Sequence, residues 1–220
     1  MSRLIRKEFL TTAWVHLAAV AMGLGLIPVC LMEPHNAVFM ALFTYLMYSH
    51  LVHNQSRYAA ANRPDNLLLN SLPVTRGQVV GAKYLYVLLC AVGYAAFLSL
   101  ILLGLSAFGV SVPLGIFHLW LLLAAMGVLY HLLLMPLSYV DARYGTWVNM
   151  AILLAIFLLP QAMGQRGKGG QAIAALLARL ARLGQMLGGW AGPILLVLAV
   201  AALGWLSLRV SQDVYRRAEF

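Results

Sequence analysis

Acidic residues are nearly missing from this chain. Glu8, Glu33, Asp65, Asp141, Asp213 and Glu219 are the only six in 220 residues, and none lies in the middle of an apolar stretch. Proton- and sodium-driven transporters usually place ionisable groups there, and such groups are costly enough to mark function. Their absence argues against ion coupling. It argues equally against an intramembrane metalloprotease, which needs a general base beside its metal. Nucleotide chemistry is missing as well. The chain has no G-x-x-x-x-G-K-[ST] phosphate loop. It has no G-x-S-x-G nucleophile elbow either. Ser49 and Ser138 therefore read as hydrogen-bonding groups between helices. Cysteine is limited to Cys30 and Cys90. They fall at different depths of two apolar runs, which argues against a disulfide and for plain packing. No repeat of fixed period is visible.

Charge of either sign is scarce. Charged residues make up 10% of the chain and hydrophobic residues 63%. Globular domains carry about 25% charged residues. The chain is therefore an integral membrane protein, and its length suits one bundle. The net charge of +9 does not make it a nucleic-acid binder. Its basic residues sit in the breaks between apolar runs and form no continuous stripe. In that position they set orientation.

A spanning helix needs roughly 20 mostly apolar residues. Six stretches fit: Ala13–Met32, Ala37–His53, Lys83–Phe108, Leu114–Tyr139, Trp147–Met163 and Ala191–Leu208. The first is too long for the apolar core of a cleaved signal peptide and is expected to stay. The fold class is thus all-α, a polytopic bundle of six transmembrane helices in a single transmembrane domain, residues 1–220. With both termini cytoplasmic, Arg3, Arg6, Lys7, Arg57, Arg63, Arg76, Lys83, Arg143, Arg209, Arg216 and Arg217 all lie inside. Only Arg166, Lys168, Arg179 and Arg182 fall outside, which the positive-inside rule favours. The chain would then sit in the cell membrane as a multi-pass protein, a bacterial cytoplasmic membrane being the natural setting. Trp14, Tyr45, Tyr84, Tyr139, Trp147, Trp190 and Trp205 mostly fall near span ends and read as an aromatic belt.

Three segments lie outside the spans. Residues 1–12 form a cytoplasmic helix. Residues 164–190 form an external amphipathic or re-entrant segment. Within it Ile173, Leu176, Leu177, Leu180 and Leu183 recur at helical spacing, opposite Arg179 and Arg182. This helix, about 171–187, is either a lid over an exit or an interfacial helix resting in headgroups. Residues 54–82 form the cytoplasmic loop between spans two and three. There Pro64 and Asp65 suit a helix start. Leu67, Leu68, Leu69 and Leu72 follow, and Pro73 ends the helix. Thr75 and Gln78 then make a T-x-x-Q capping box that starts the next helix well before its lipid-embedded part. The leucines either lie on the membrane surface or fill a groove of a soluble partner.

Histidine offers one other chemistry. His50 and His53 are three apart on one helical face, and His118 and His131 lie in span four. Such histidines are able to bind a metal or haem. No carboxylate or cysteine stands at matching depth, so polar packing between helices is the plainer reading.

The stretch RPDNLLLNSLPVTRGQVVGAKYL, Arg63–Leu85, resembles the cytoplasmic loop of type-2 ABC (ATP-binding-cassette) exporter permeases, which carry a line like LLSLPVSR…VV.SKYL. LIRKEFL, Leu4–Leu10, is similar to that family's amphipathic connecting helix. MPLSYVDARYGT, Met135–Thr146, is similar to its inner loop after span four. The resemblance implies a half-transporter without enzymatic activity of its own. A second permease chain, identical or related, would complete the pathway in the lipid bilayer. A separate ATP-binding-cassette ATPase would bind the ATP and magnesium, so no cofactor is expected on this chain. The resemblance assigns ATPase docking to a coupling helix and its flanks: Arg63, Asp65, Leu68, Leu69, Leu72, Pro73 and Arg76. It places external re-entrant helices at the segment bearing Leu176, Leu180, Arg179 and Arg182, the lid candidate. The cargo it implies is a peptide or other amphipathic compound moved outward. The alternatives are a non-transporting membrane interaction or sensor subunit, and a membrane metal or haem enzyme using His50, His53 or His131.

Overall fold

A computed structural model describes residues 2–34, 37–61, 75–110, 116–139, 147–148, 150–155, 158 and 191–217. Every regular element among them is helical. The helices are α1 (Ser2–Thr11), α2 (Ala13–Met32), α3 (Ala37–Ala61), α4 (Arg76–Ser106), α5 (Ile116–Leu134) and α6 (Ala191–Arg217), with a 3-10 turn at Pro136–Tyr139. The described residues between 147 and 158 are also helical. Among the described residues, four stretches are long and apolar enough to cross a membrane: Ala13–Met32, Arg76–Ser106, Ile116–Leu134 and Gly192–Arg217.

Helix α4 is the centre of the bundle. Its 31 residues extend for about 46 Å, well beyond a hydrocarbon core of about 30 Å. The surplus lies at its N-terminal end, where the expected capping box is present. The Thr75 side chain accepts from the Gln78 amide, and the Gln78 side chain accepts from the Thr75 amide. That box satisfies two backbone donors of the first turn. At the other end Gly109 takes a φ of +87° and closes the helix as a left-handed residue.

α2 buries Val15, Ala19, Gly23, Leu26 and Cys30. Their spacing of three or four makes a narrow stripe against the bundle and leaves the other faces to lipid. α3 is longer than the expected span, which stopped at His53. It continues to Ala61 and buries Tyr45, Tyr48, Ser49, His50, Val52, His53 and Ser56. A helix enclosed by α2, α4 and α5 has hydrogen-bond partners for its polar residues, so it is less apolar than its neighbours. α5 approaches α3 closely at Gly127, where a Cβ would collide with the Tyr45 ring. Cys30 and Cys90 are both free and buried in this core.

One end of the bundle gathers the start of α2, the end of α3, the start of α4, the end of α5 and the end of α6. Packing of Tyr139 against Tyr215, with ring centroids 5.4 Å apart, brings the last two together. α5 and α6 therefore run in the same direction.

Candidate functional site

At the gathered end the start of α4 meets the helix ends collected there. Arg76, in the first turn of α4, donates from its guanidinium to the carbonyl of Arg216 at 2.9 Å. Arg216 is in the last turn of α6, whose carbonyls have no partner within their own helix. Two turns on, the buried Lys83 ammonium donates to the Ser56 carbonyl of α3 at 3.4 Å.

Tyr84 ties α4 to α6 through a directed chain of hydroxyls. Ser207 donates to the Leu132 carbonyl of α5 at 2.5 Å. Its single proton is then used, so Tyr84 donates to Ser207 at 2.7 Å. The Tyr84 oxygen in turn accepts from Ser211 at 2.7 Å. On α6 the buried side chains among those described are Ser207, Ser211 and Tyr215, four residues apart. This edge helix is held by hydroxyls near its C-terminal end, while Leu196, Val200, Gly204 and Leu208 line a cleft shared with α4 and α5.

Tyr86 ties α4 to the α1–α2 bend. Thr12, fully buried at the bend, donates to the Glu8 carbonyl at 2.7 Å. Tyr86 therefore donates to the Thr12 hydroxyl at 2.6 Å. His16 Nε2 stands 3.2 Å from the same oxygen. With the Thr12 and Tyr86 protons committed, that nitrogen carries the hydrogen. His16 Nδ1 then accepts from Tyr48 of α3 at 3.1 Å. Four contacts within eleven residues of α4 thus reach α1, α2, α3, α5 and α6. The Glu8 carboxyl is also buried here, and its Oε2 has no partner among the described residues. Beyond α5, burial raises the Tyr139 phenol well above its ordinary pKa, so it stays protonated.

Deeper in the bundle, tyrosines donate to helix carbonyls. Tyr45 reaches Ala91 and Tyr94 reaches Ala19, each at 3.0 Å. The aromatic-belt expectation is corrected for Tyr45, Tyr84 and Tyr139. Tyr45 is fully buried, Tyr84 belongs to the hydroxyl chain, and the Tyr139 hydroxyl is buried. Trp14, Trp147 and Trp205 do face outward, whereas Trp190 lies outside the described residues.

The structure brings His53 beside His131 and sets His50 against Tyr130. His50 Nδ1 lies 3.0 Å from the Tyr130 hydroxyl, and the His53 and His131 rings are 6.1 Å apart. Among the described residues, no group of three or more His, Cys, Asp or Glu side chains is placed to hold a metal ion. His118 is exposed on the outer surface of α5.

Of the docking set, Arg76 alone is described, and the structure gives it a partner within the chain. Arg63, Asp65, Leu68, Leu69, Leu72 and Pro73 lie outside the described residues, as do Leu176, Leu180, Arg179 and Arg182. The hydroxyl contacts had no motif to announce them. The one available signal was the four-residue spacing of Ser207, Ser211 and Tyr215.

No curated protein and no solved structure matches this chain significantly. The profile of the family described as ABC-2 family transporter protein does match, over residues 3–216. The chain therefore belongs to the ABC-2 transporter family, and it is a multi-pass permease subunit of an ABC transporter in the cell membrane.

Proposed function

We propose that this chain is one half of an ABC exporter permease, driven through the elbow at Thr75. Membership of the family implies association with an ABC ATPase subunit. In the proposal that subunit docks on Pro64–Leu72, the coupling helix. Nucleotide binding and hydrolysis move the helix, and α4 receives the motion. The observation that carries this reading is the set of bonds at the start of α4. A push on the elbow is passed at once to α6 by Arg76 and Tyr84, to α3 by Lys83, and to the α1–α2 bend by Tyr86. A helix joined to all its neighbours at its driven end moves them together. With Arg76 engaged on α6, docking falls to the leucines, and Arg76 acts as a link.

The common direction of α5 and α6 supports a fifth crossing and hence six spans. Basic residues at the gathered end, from Arg3 and Arg6 to Arg216 and Arg217, support a cytoplasmic placement for it. A second permease chain completes the pathway. The cargo is a peptide or other amphipathic compound, and ATP and magnesium stay on the partner. The test is transport by the chain co-expressed with its ATPase, comparing Leu69→Asp with wild type. Lost transport with normal membrane insertion is expected. Unchanged transport and unchanged ATPase association would sink the docking assignment.

A further inference from the structure

We propose that the cleft between α4, α5 and α6 seats one acyl chain of a bilayer glycerolipid, with His131 donating to the ester carbonyl at the head of that chain. The cleft has a volume of about 530 Å³ and is walled by Leu85 and Leu88 of α4, Val128 and Leu132 of α5, and Val200 and Leu208 of α6. No charged side chain is among the described residues that line it. It is long as well as apolar. On α6 its wall runs from Leu196 to Leu208, a length of about 18 Å. The hydrocarbon of one bilayer leaflet is about 15 Å deep. A slot of that length and lining takes a single extended chain better than it takes a compact solute.

His131 supplies the polar end. It lines the cleft, is 2% exposed, and its Nδ1 has no hydrogen-bond partner among the described residues. An imidazole always carries at least one N–H, and burying that donor without an acceptor is costly. In a bilayer the acceptor fixed to the head of an acyl chain is its ester carbonyl. The depth agrees. Ser207 donates to the Leu132 carbonyl, so His131 stands at about the depth of Ser207. Beside it on α6, Trp205 lines the cleft and the Arg209 guanidinium lies over its ring, 5.4 Å from the centre. A tryptophan with an arginine above it belongs at the boundary between headgroups and hydrocarbon, which is the level of the esters. The proposal rests on membrane placement and not on the transport reading.

The test compares two phosphatidylcholines with identical chains, one joined through ester bonds and the other through ether bonds. The full chain is purified, exchanged into each lipid, and weighed intact by native mass spectrometry as detergent is raised. Wild type should retain one diester lipid about fivefold better than the diether lipid, the scale of one hydrogen bond. His131→Leu should lose that difference and hold both lipids equally. Ala201→Phe, at an exposed position on the cleft wall, should displace both lipids and leave the core undisturbed. Equal retention of the two lipids by wild type would overturn the proposal, and that comparison needs no variant to fold. A difference that survives His131→Leu would overturn it too, as would undiminished retention in Ala201→Phe. A wild-type chain that emerges without lipid as a dimer, which Ala201→Phe splits, would make the cleft a contact between two copies instead.

Discussion

Tyr84 carries two roles that a tyrosine near a span end does not reveal. Its ring lies among apolar residues, while its hydroxyl closes the Ser211–Tyr84–Ser207–Leu132 chain. Tyr84→Phe keeps the ring and removes the central oxygen. Ser207 keeps its bond to Leu132, but Ser211 loses its acceptor. The expected loss is about 1 kcal/mol, the scale of interhelical hydrogen bonds in membranes. A small fall in detergent melting temperature with a larger fall in transport would fit a link in the coupling route. No change in either would exclude one. At Gly127 the expected effect is steric. Gly127→Leu drives a side chain into Tyr45, and overpacking costs about 1–3 kcal/mol. Thermal unfolding of the purified chain measures it, and an unchanged midpoint contradicts the close packing. These contacts were not legible beforehand because depth along the chain gives no azimuth. Tyr84 and Trp14 both fell near span ends, yet one bonds serines of α6 and the other faces outward.

The start of α4 was the most legible element. Thr75 and Gln78 have the residue types and spacing of a capping box, and the structure forms it. A box needs only local geometry, so sequence suffices. The end of α3 was less legible. His53, Asn54, Gln55 and Ser56 looked like the edge of an apolar run, but a helix buried on several sides tolerates polar residues, and it continues to Ala61. Thr75→Ala should destabilise the elbow by about 1 kcal/mol. Amide exchange at Gly77 and Gln78 should then quicken, while exchange in the middle of α4 stays as it was. Unchanged exchange at Gln78 would mean that the box does not hold the elbow. The segment at about 171–187, expected from its sequence to be an external helix, lies outside the described residues and has its own test. If it is a lid, Leu176→Ser with Leu180→Ser should abolish most transport, and Arg179→Gln with Arg182→Gln should matter little. Transport that survives the leucine changes at normal protein levels would leave a helix resting on lipid.

At the scale of the molecule, composition fixed the class and family similarity fixed the role. An apolar, acid-poor chain must be a bundle in lipid, and the family match over residues 3–216 makes it a permease subunit. What composition did not disclose is that one end of the bundle is a polar hub. Hydroxyls, one imidazole, one ammonium and one guanidinium bind the helices there, because lipid supplies no hydrophobic force between them. The central claim is that a partner ATPase reaches this hub through the loop before α4. The most direct measurement places a photoreactive amino acid at Leu69, with the ATPase subunit co-expressed in the same membrane. Light should join the two chains, and the yield should change between nucleotide-free and ATP-bound conditions. A reagent confined to the outside should never label position 69. An ATPase that co-purifies without any crosslink from Leu69, or external labelling at that position, would contradict the claim.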